Sequence, residues 1–144
     1  MNAAALDHGP FQDLVGYEIL SDAGRPFFRL PVRREHLNLN GVVHGGVLMT
    51  LLDAAGGRCQ LDCTLPGTGE AILSSVTVSL TSEFAMAVGG GTLYATGTVD
   101  HVGKLLAYVS TRVCLDALEG PLVARSVAVF RVYTRTPARH GTPP

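Results

Sequence analysis

One stretch of the chain has the apolar periodicity of a helix, whereas the other regular stretches have the periodicity of strands. Between residues 45 and 63 the apolar side chains that recur at spacings of three and four are Leu48, Leu51, Leu52, Ala55 and Cys59. The remaining positions there are mostly apolar or small, which is typical of a helix buried nearly all round. We therefore predict one long buried helix from about Gly45 to Cys63.

Alternation of apolar and polar residues predicts strands on both sides of this helix. After the helix, for example, Val76, Val78 and Leu80 share one face while serines and threonines occupy the other. In chain order, the predicted strands cover residues 15–20, 27–32, 71–84, 92–101, 105–116 and 122–135. The two strands before the helix have the weaker pattern, and glycine-containing turns separate the last four.

One helix cannot cover both faces of such a sheet. We therefore expect an antiparallel sheet that curls around the helix and buries one face against it. This predicts an α+β fold whose outer sheet face is solvated or buried against another subunit. The length of 144 residues suits one domain. We therefore expect residues 1–144 to form a single domain with an ordered core at about 12–136.

Composition excludes several classes of protein. Hydrophobic residues make up 47% of the chain and charged residues 16%, which excludes disorder. The net charge of −1 argues against a general binder of nucleic acid or of anionic membranes. The longest uncharged stretch, residues 84–99, is too short and too rich in glycine to span a membrane. The mean hydropathy of +0.27 without such a span favours a subunit interface.

The cysteines and the first residues favour a cytoplasmic location. Three cysteines are an odd number and do not suggest a disulfide framework. Residues 1–7 lack the basic and apolar regions of a signal peptide. Cys59 and Cys63 have no histidine partners at ligand spacing, so no metal is expected.

Asp53 is the anomaly within the predicted helix. It lies too far from the helix start to interact with the helix dipole, and no Lys or Arg lies three or four residues away. A lone carboxylate in a buried helix costs several kcal/mol unless it has a partner. Asp53 therefore either reaches solvent or an arginine elsewhere in the chain, or it is a catalytic carboxylate in an apolar pocket.

The start of the helix, His44-Gly45-Gly46, is the second candidate feature. It lacks a good capping side chain, so the first amide N–H groups are expected to be free. The glycines let a ligand approach the backbone, and the helix N-terminus favours an anion or a developing oxyanion. The simpler alternative is an ordinary tight turn into a helix.

The spacing of the two features predicts a shared site. Gly45 and Asp53 are eight residues apart, which is about 12 Å along a helix that rises about 1.5 Å per residue. One carbonyl group cannot contact both. A single site can use both only if two such helices lie antiparallel from two subunits, so we expect a two-fold homodimer with two shared sites.

The segment His36-x-Asn38-x-x-Gly41-x-x-His44-Gly45-Gly46, with Asp53 nine residues after His44, resembles the hotdog-fold acyl-CoA thioesterases. It is most similar to the PaaI-like branch, which includes phenylacetate-pathway and 4-hydroxybenzoyl-CoA thioesterases. The resemblance covers about residues 15–135. It implies a hotdog fold, hydrolysis of an acyl-CoA without a cofactor, and homodimers that pair into a homotetramer.

The resemblance also implies roles for individual residues. Asp53 matches the family's helix carboxylate, which acts as general base toward water or as nucleophile. The backbone N–H of Gly45 in the partner subunit matches the amide that polarises the carbonyl, and Asn38 matches a residue that assists it. His44 and Gly46 match the turn around that amide.

Other matches concern the water and the substrate. The family places a Ser or Thr on the first strand after the helix, where strand register favours Ser75, with Thr77 as its neighbour. The turn formed by Val102, Gly103 and Lys104 matches the place where family members hold the pantetheine arm. Family members often carry a basic residue and a proline after the strand that ends near Phe84, and this chain has neither there.

The helix also suggests a wall for the acyl pocket, built from Met49, Leu52, Ala55 and Gly56 with residues of the partner subunit. The leading hypothesis is an acyl-CoA thioesterase acting on an aryl- or medium-chain acyl group. A non-catalytic acyl-CoA binding module on the same fold is the second hypothesis. A hydratase is the third, and it is disfavoured because His44 lies at the wrong end of the helix to pair with Asp53.

Overall fold

The structure, a computed structural model, describes residues 9–61 and 63–135. The other parts of the expected domain, residues 1–8, 62 and 136–144, lie outside the described residues. In chain order the elements are α1 (Pro10–Val15), β1 (Glu18–Asp22), β2 (Arg25–Pro31), a 3-10 turn (Arg34–His36), α2 (Gly45–Cys59), β3 (Ser74–Phe84), β4 (Thr92–Val102), β5 (Leu106–Leu115) and β6 (Leu122–Tyr133). No helix within the described ranges is long and apolar enough to cross a membrane.

All six strands pair antiparallel in one sheet, in the order β1-β2-β4-β5-β6-β3. Helix α2 contacts the five strands β2 to β6, so the sheet curves around the helix. The predicted α+β architecture, an antiparallel sheet around one long helix, is confirmed. Strands β1 and β3 form the two free edges.

The core lies between α2 and the inner face of the sheet. Apolar residues at inward positions of the helix meet inward residues of the strands because strand side chains alternate between the two faces. The main cluster includes Leu48, Leu51, Leu52, Ala55, Leu30, Leu93, Val113 and Ala124. The outer face exposes polar residues and a few apolar ones, among them Thr98, Arg112, Arg125 and Val127.

Two glycines allow α2 to lie directly on the sheet. A Cβ atom on Gly97 of β4 would lie 2.7 Å from the carbonyl oxygen of Ala55. On the helix side, a Cβ atom on Gly56 would lie 2.9 Å from a ring carbon of Phe130. Both distances are shorter than real Cβ contacts, so the absence of side chains at these positions sets the separation of helix and sheet.

The helix ends at Cys59, four residues earlier than predicted. The N–H of Leu61 bonds the carbonyl of Arg58, and the N–H of Cys63 bonds the carbonyl of Gln60, so tight turns replace the helical pattern. Leu61 and Cys63 then pack on a separate apolar cluster that includes Ile72. Burial of these two side chains turns the chain away from the helix axis.

The predicted first strand, 15–20, is wrong at its start because a short helix occupies residues 10–15. Pro10 stands at its beginning, and Gly16, with a φ of 88°, ends it. A proline at the start and a glycine just after the end are an ordinary helix signal. The predicted strand 71–84 begins only at Ser74.

We predict that Gly97→Ala destabilises the protein, because its new Cβ would be driven against the Ala55 carbonyl, a backbone atom that can move only with the helix. The expected loss is about 1–3 kcal/mol in the free energy of unfolding, as for other overpacked positions. Urea denaturation measures it. Gly90→Ala is the matched control, since a Cβ at that position would have no neighbouring atom within 4 Å, and an equal loss in both variants would contradict the prediction.

Candidate active site

His44 caps the start of α2, which corrects the expectation that the helix lacks a capping side chain. Its Nδ1 accepts a hydrogen bond from the N–H of Gly46 at 2.9 Å. The carbonyl of His44 accepts from the N–H groups of Val47 and Leu48. Because Nδ1 is an acceptor, the proton of the neutral ring lies on Nε2, and the ring is exposed.

Capping leaves one amide of the first turn available. Within residues 9–61 and 63–135, the N–H of Gly45 has no acceptor. The ring of Phe84 approaches Gly45, at 3.7 Å from the position that a Cβ would occupy. Several free N–H groups were expected in this turn, but only the N–H of Gly45 lacks an acceptor among the described residues. An aromatic ring lies beside it.

The loop before α2 is held by His36, which is buried. Its Nδ1 accepts from the N–H of Arg33 at 2.9 Å, and its Nε2 donates to the carbonyl of Val15 at 2.7 Å. Its own carbonyl accepts from the N–H of His44 at 2.8 Å. His36 thus connects α1, the 3-10 turn and the start of α2, which fixes the position of Gly45.

Asn38 organises the same loop. Its Oδ1 accepts from the N–H of Asn40 at 2.9 Å and from that of Val42 at 3.3 Å. Its side-chain amide has no acceptor among the described residues and remains able to donate. The side-chain oxygen of Asn38 therefore stabilises the loop, while its N–H₂ group makes no hydrogen bond within the described residues.

Asp53 is half-buried on α2 and has a close partner on β3. The hydroxyl of Thr77 donates to its Oδ1 at 2.6 Å. Ser75, which strand register favoured for this place, instead accepts a hydrogen bond from Nε2 of Gln60 at 3.2 Å. The hydroxyls of Ser75 and Thr77 both face α2. The one that contacts Asp53 is that of Thr77, two residues further along the strand than expected.

Tyr17, which the sequence did not indicate, lies close enough to Asp53 to be affected by its charge. Burial raises the pKa of the Tyr17 hydroxyl, and the negative charge of Asp53 raises it further. The ring also contacts Phe28, with 5.6 Å between the centroids. Tyr17 therefore stays protonated at neutral pH and can donate a hydrogen bond.

The predicted pocket wall, which includes residues of a partner subunit, stays a prediction. Leu52 is fully buried in the core, and Gly56 packs against Phe130, so neither lines an open space in the described chain. Met49 is exposed and remains available to a ligand or partner. A cavity of about 340 Å³ lies instead at the start of α2, beside Gly45.

The predicted pantetheine turn is not brought to Asp53 within the chain. Val102 ends β4 and packs against the apolar cluster of Ile72, Ala107 and Val132, as do Leu61 and Leu65, which follow α2 in the chain. Gly103 donates its N–H to the carbonyl of Leu106, and Lys104 is exposed at the turn.

The two halves of the candidate site lie at different points of α2. Gly45 is its first residue, beside the end of β3, while Asp53 lies eight residues later, beside Thr77 in the first half of β3. Strand β3 is a free edge of the sheet, and Val76 and Val78 on it are 56% and 60% exposed. Both halves therefore adjoin the same edge strand.

We predict that Asp53→Asn lowers the pKa of Tyr17, because it removes a negative charge that opposes ionisation of the phenol. The pKa stays above the ordinary value, since burial is its larger cause. NMR titration of ring-labelled tyrosine measures it. Asp100→Asn is the control, because the Asp100 carboxylate bonds Ser110 on the outer face; an unchanged Tyr17 pKa in Asp53→Asn would contradict the geometry.

Comparison with known proteins identifies the family. The model of the thioesterase superfamily matches residues 40–118, which include Gly45, Asp53 and Thr77. A Thermoplasma volcanium protein named as an esterase is 34% identical over 104 residues, covering 72% of each chain. A similarly named protein of Thermoplasma acidophilum is 25% identical over 105 residues, covering 73% of this chain and 74% of that one.

Several solved structures are similar to this chain in fold. A Bacillus halodurans protein crystallised with CoA is 29% identical, with a TM-score of 0.77 over 90% of this chain and 82% of its own. The Escherichia coli PaaI protein, at 23% identity, shares the fold, with a TM-score of 0.72 over 88% and 86% of the two chains. The chain therefore belongs to the thioesterase superfamily, and it is a thioester hydrolase with the hotdog fold.

Proposed function

We propose that the protein hydrolyses an aryl- or medium-chain acyl-CoA at a site shared by two copies of the chain. The observation that carries this proposal is the free N–H of Gly45 on the same helix as Asp53, which the hydroxyl of Thr77 orients. CoA as the thiol half of the substrate is supported by the Bacillus halodurans protein, whose structure contains CoA.

The free edge of β3 supports a homodimer. An edge strand has unpaired backbone groups, and exposed valines on it favour burial against another strand. If β3 pairs with β3 of a partner around a two-fold axis, the strands run antiparallel. The Thr77 region of one copy then lies near the Phe84 end of the other, which places Asp53 of one copy toward Gly45 of its partner. The resemblance to the PaaI-like thioesterases further supports the association of two such dimers into a homotetramer.

Two polar contacts suit hydrolysis. The N–H of the partner's Gly45 and the amide of the partner's Asn38 donate to the thioester oxygen, where negative charge develops. Thr77 donates to Oδ1 of Asp53, and we assign the reaction to Oδ2. His44 and Gly46 hold the turn that presents the Gly45 amide.

Asp53 then acts in one of two ways. As general base it takes a proton from water while the water oxygen attacks the carbonyl carbon, and the tetrahedral intermediate collapses with expulsion of the CoA thiolate. As nucleophile it attacks the carbon itself and releases the thiolate, and water hydrolyses the resulting anhydride. Both routes need the carboxylate and the oxyanion donors, and neither needs a cofactor.

We predict that Asp53→Asn lowers kcat by about a hundredfold to ten-thousandfold, because the amide can neither accept the proton nor attack. Release of free thiol from a panel of aryl- and alkyl-CoA thioesters measures it. Asp22→Asn, at the exposed end of β1, is the matched control and should retain full rate. Wild-type rates in Asp53→Asn would contradict this role, and binding without hydrolysis by the wild type would favour the non-catalytic binding module.

A mixing experiment tests the sharing of the site. Gly45→Pro removes the N–H while suiting the first position of a helix, and the extended backbone of His44 tolerates a following proline. Asp53→Asn and Gly45→Pro are each expected to be inactive as homodimers. A heterodimer has one site with both native groups, so random mixing should restore about a quarter of wild-type activity.

Refolding an equimolar mixture of the two variants and measuring thiol release performs this test. Each variant refolded alone controls for residual activity. No recovery on mixing, with heterodimers demonstrated by differential tagging and native mass spectrometry, would show that Asp53 and Gly45 of one site do not come from two copies.

A further inference from the structure

A cavity of about 340 Å³ opens beside Gly45, at the start of α2. Every side chain that lines it is apolar, and its walls come from the residues just before α2, from Gly45 and Leu48 on the helix, and from residues 84–87 at the end of β3. Its volume lies at the low end of small-molecule sites. The cavity therefore suits a small or medium-sized apolar group.

The cavity adjoins the N–H that polarises the carbonyl in the proposed function. A carbonyl carbon held at Gly45 carries two arms, the acyl group and the sulfur of the pantetheine arm. The pantetheine arm contains two amides and a hydroxyl, and burying such groups without hydrogen-bond partners is unfavourable. An all-apolar wall offers no side-chain partner for them, so the acyl group is the arm that matches it.

We infer that this cavity is the acyl pocket and that it selects unsubstituted apolar acyl groups, aliphatic or phenyl, over acyl groups that carry a hydroxyl or a charge. The inference rests on the proposed function and names the substrate class of its site. Phe84, Met86 and Ala87 form the outer wall and determine the size of the acyl group accepted.

Backbone hydrogen bonds hold this wall in place before any ligand binds. The N–H groups of Ala85 and Met86 both donate to the carbonyl of Val123, at 2.8 and 3.2 Å. On the other side, the N–H of Val43 donates to the carbonyl of Val88 at 2.7 Å. A wall fixed on two sides cannot easily widen, so it discriminates between acyl groups by their size.

A larger cavity, of about 510 Å³, does not compete for this role. Threonine and serine residues, Arg112, Arg125 and Glu83 line it. It lies on the outer face of the sheet, whereas Gly45 and Asp53 belong to α2 on the inner face. Its charged and hydroxyl-bearing lining does not match an apolar acyl group.

Two substitutions in the wall test the inference in opposite directions. Ala87→Leu narrows the pocket and is expected to lower kcat/KM about tenfold or more for the longest acyl-CoA accepted by the wild type, with less than about threefold change for propionyl-CoA. Met86→Ala widens the pocket and is expected to move the optimum to longer chains. Ala117→Leu, in the exposed turn between β5 and β6, is the matched control and should change neither.

A polar substituent gives the second measurement. The wild type is expected to hydrolyse phenylacetyl-CoA about tenfold faster, by kcat/KM, than 4-hydroxyphenylacetyl-CoA, because the pocket leaves the hydroxyl unpaired. An equal change at every chain length in Ala87→Leu, or a preference for the hydroxylated substrate, would overturn the inference.

The failure of the inference and that of the proposed function are distinguishable. If the wild type releases no thiol from any thioester, the proposed function fails. Titration calorimetry with non-hydrolysable thioether analogues of the same acyl-CoAs then tests the pocket by itself. Affinities that follow chain length and respond oppositely to the two substitutions support the pocket, and affinities independent of the acyl group overturn it.

Discussion

The close contact between α2 and the sheet is the constraint on which the rest of the structure depends. It is possible because Gly97 and Gly56 lack side chains at the point where the helix backbone meets β4 and Phe130. A helix held at this distance brings its polar residues within hydrogen-bond reach of the strands. The contacts of Asp53 with Thr77 and of Gln60 with Ser75 both follow from this separation.

Capping of α2 by His44 decides which backbone donor a ligand can use. A helix start leaves several N–H groups without acceptors, and satisfying one of them stabilises the helix. His44 satisfies Gly46 and leaves Gly45, so in the proposed site helix stability and ligand binding use different amides of one turn. Because His36 anchors the preceding loop, the free amide has a fixed direction, as a preorganised oxyanion donor requires.

Helix geometry explains why the proposed site needs two chains. The amide and the carboxylate cannot meet on one straight helix, yet both adjoin the edge strand β3. In this proposal, pairing of β3 with a second copy satisfies the edge strand and assembles the site in one event. Subunit association and catalysis would then depend on the same backbone hydrogen bonds.

The sequence by itself determined the long helix, the strand positions to within a few residues, and the family resemblance, because burial on one side imposes periods of 3.6 and 2 that a sequence displays. It did not determine the cap, since the rotamer of His44 is not visible in a sequence. Nor did it determine that Thr77 rather than Ser75 meets Asp53, because the two share a strand face. Only the tertiary structure decided that, since contacts between residues far apart in the sequence set the position of β3 along α2, and it likewise placed Tyr17 near Asp53.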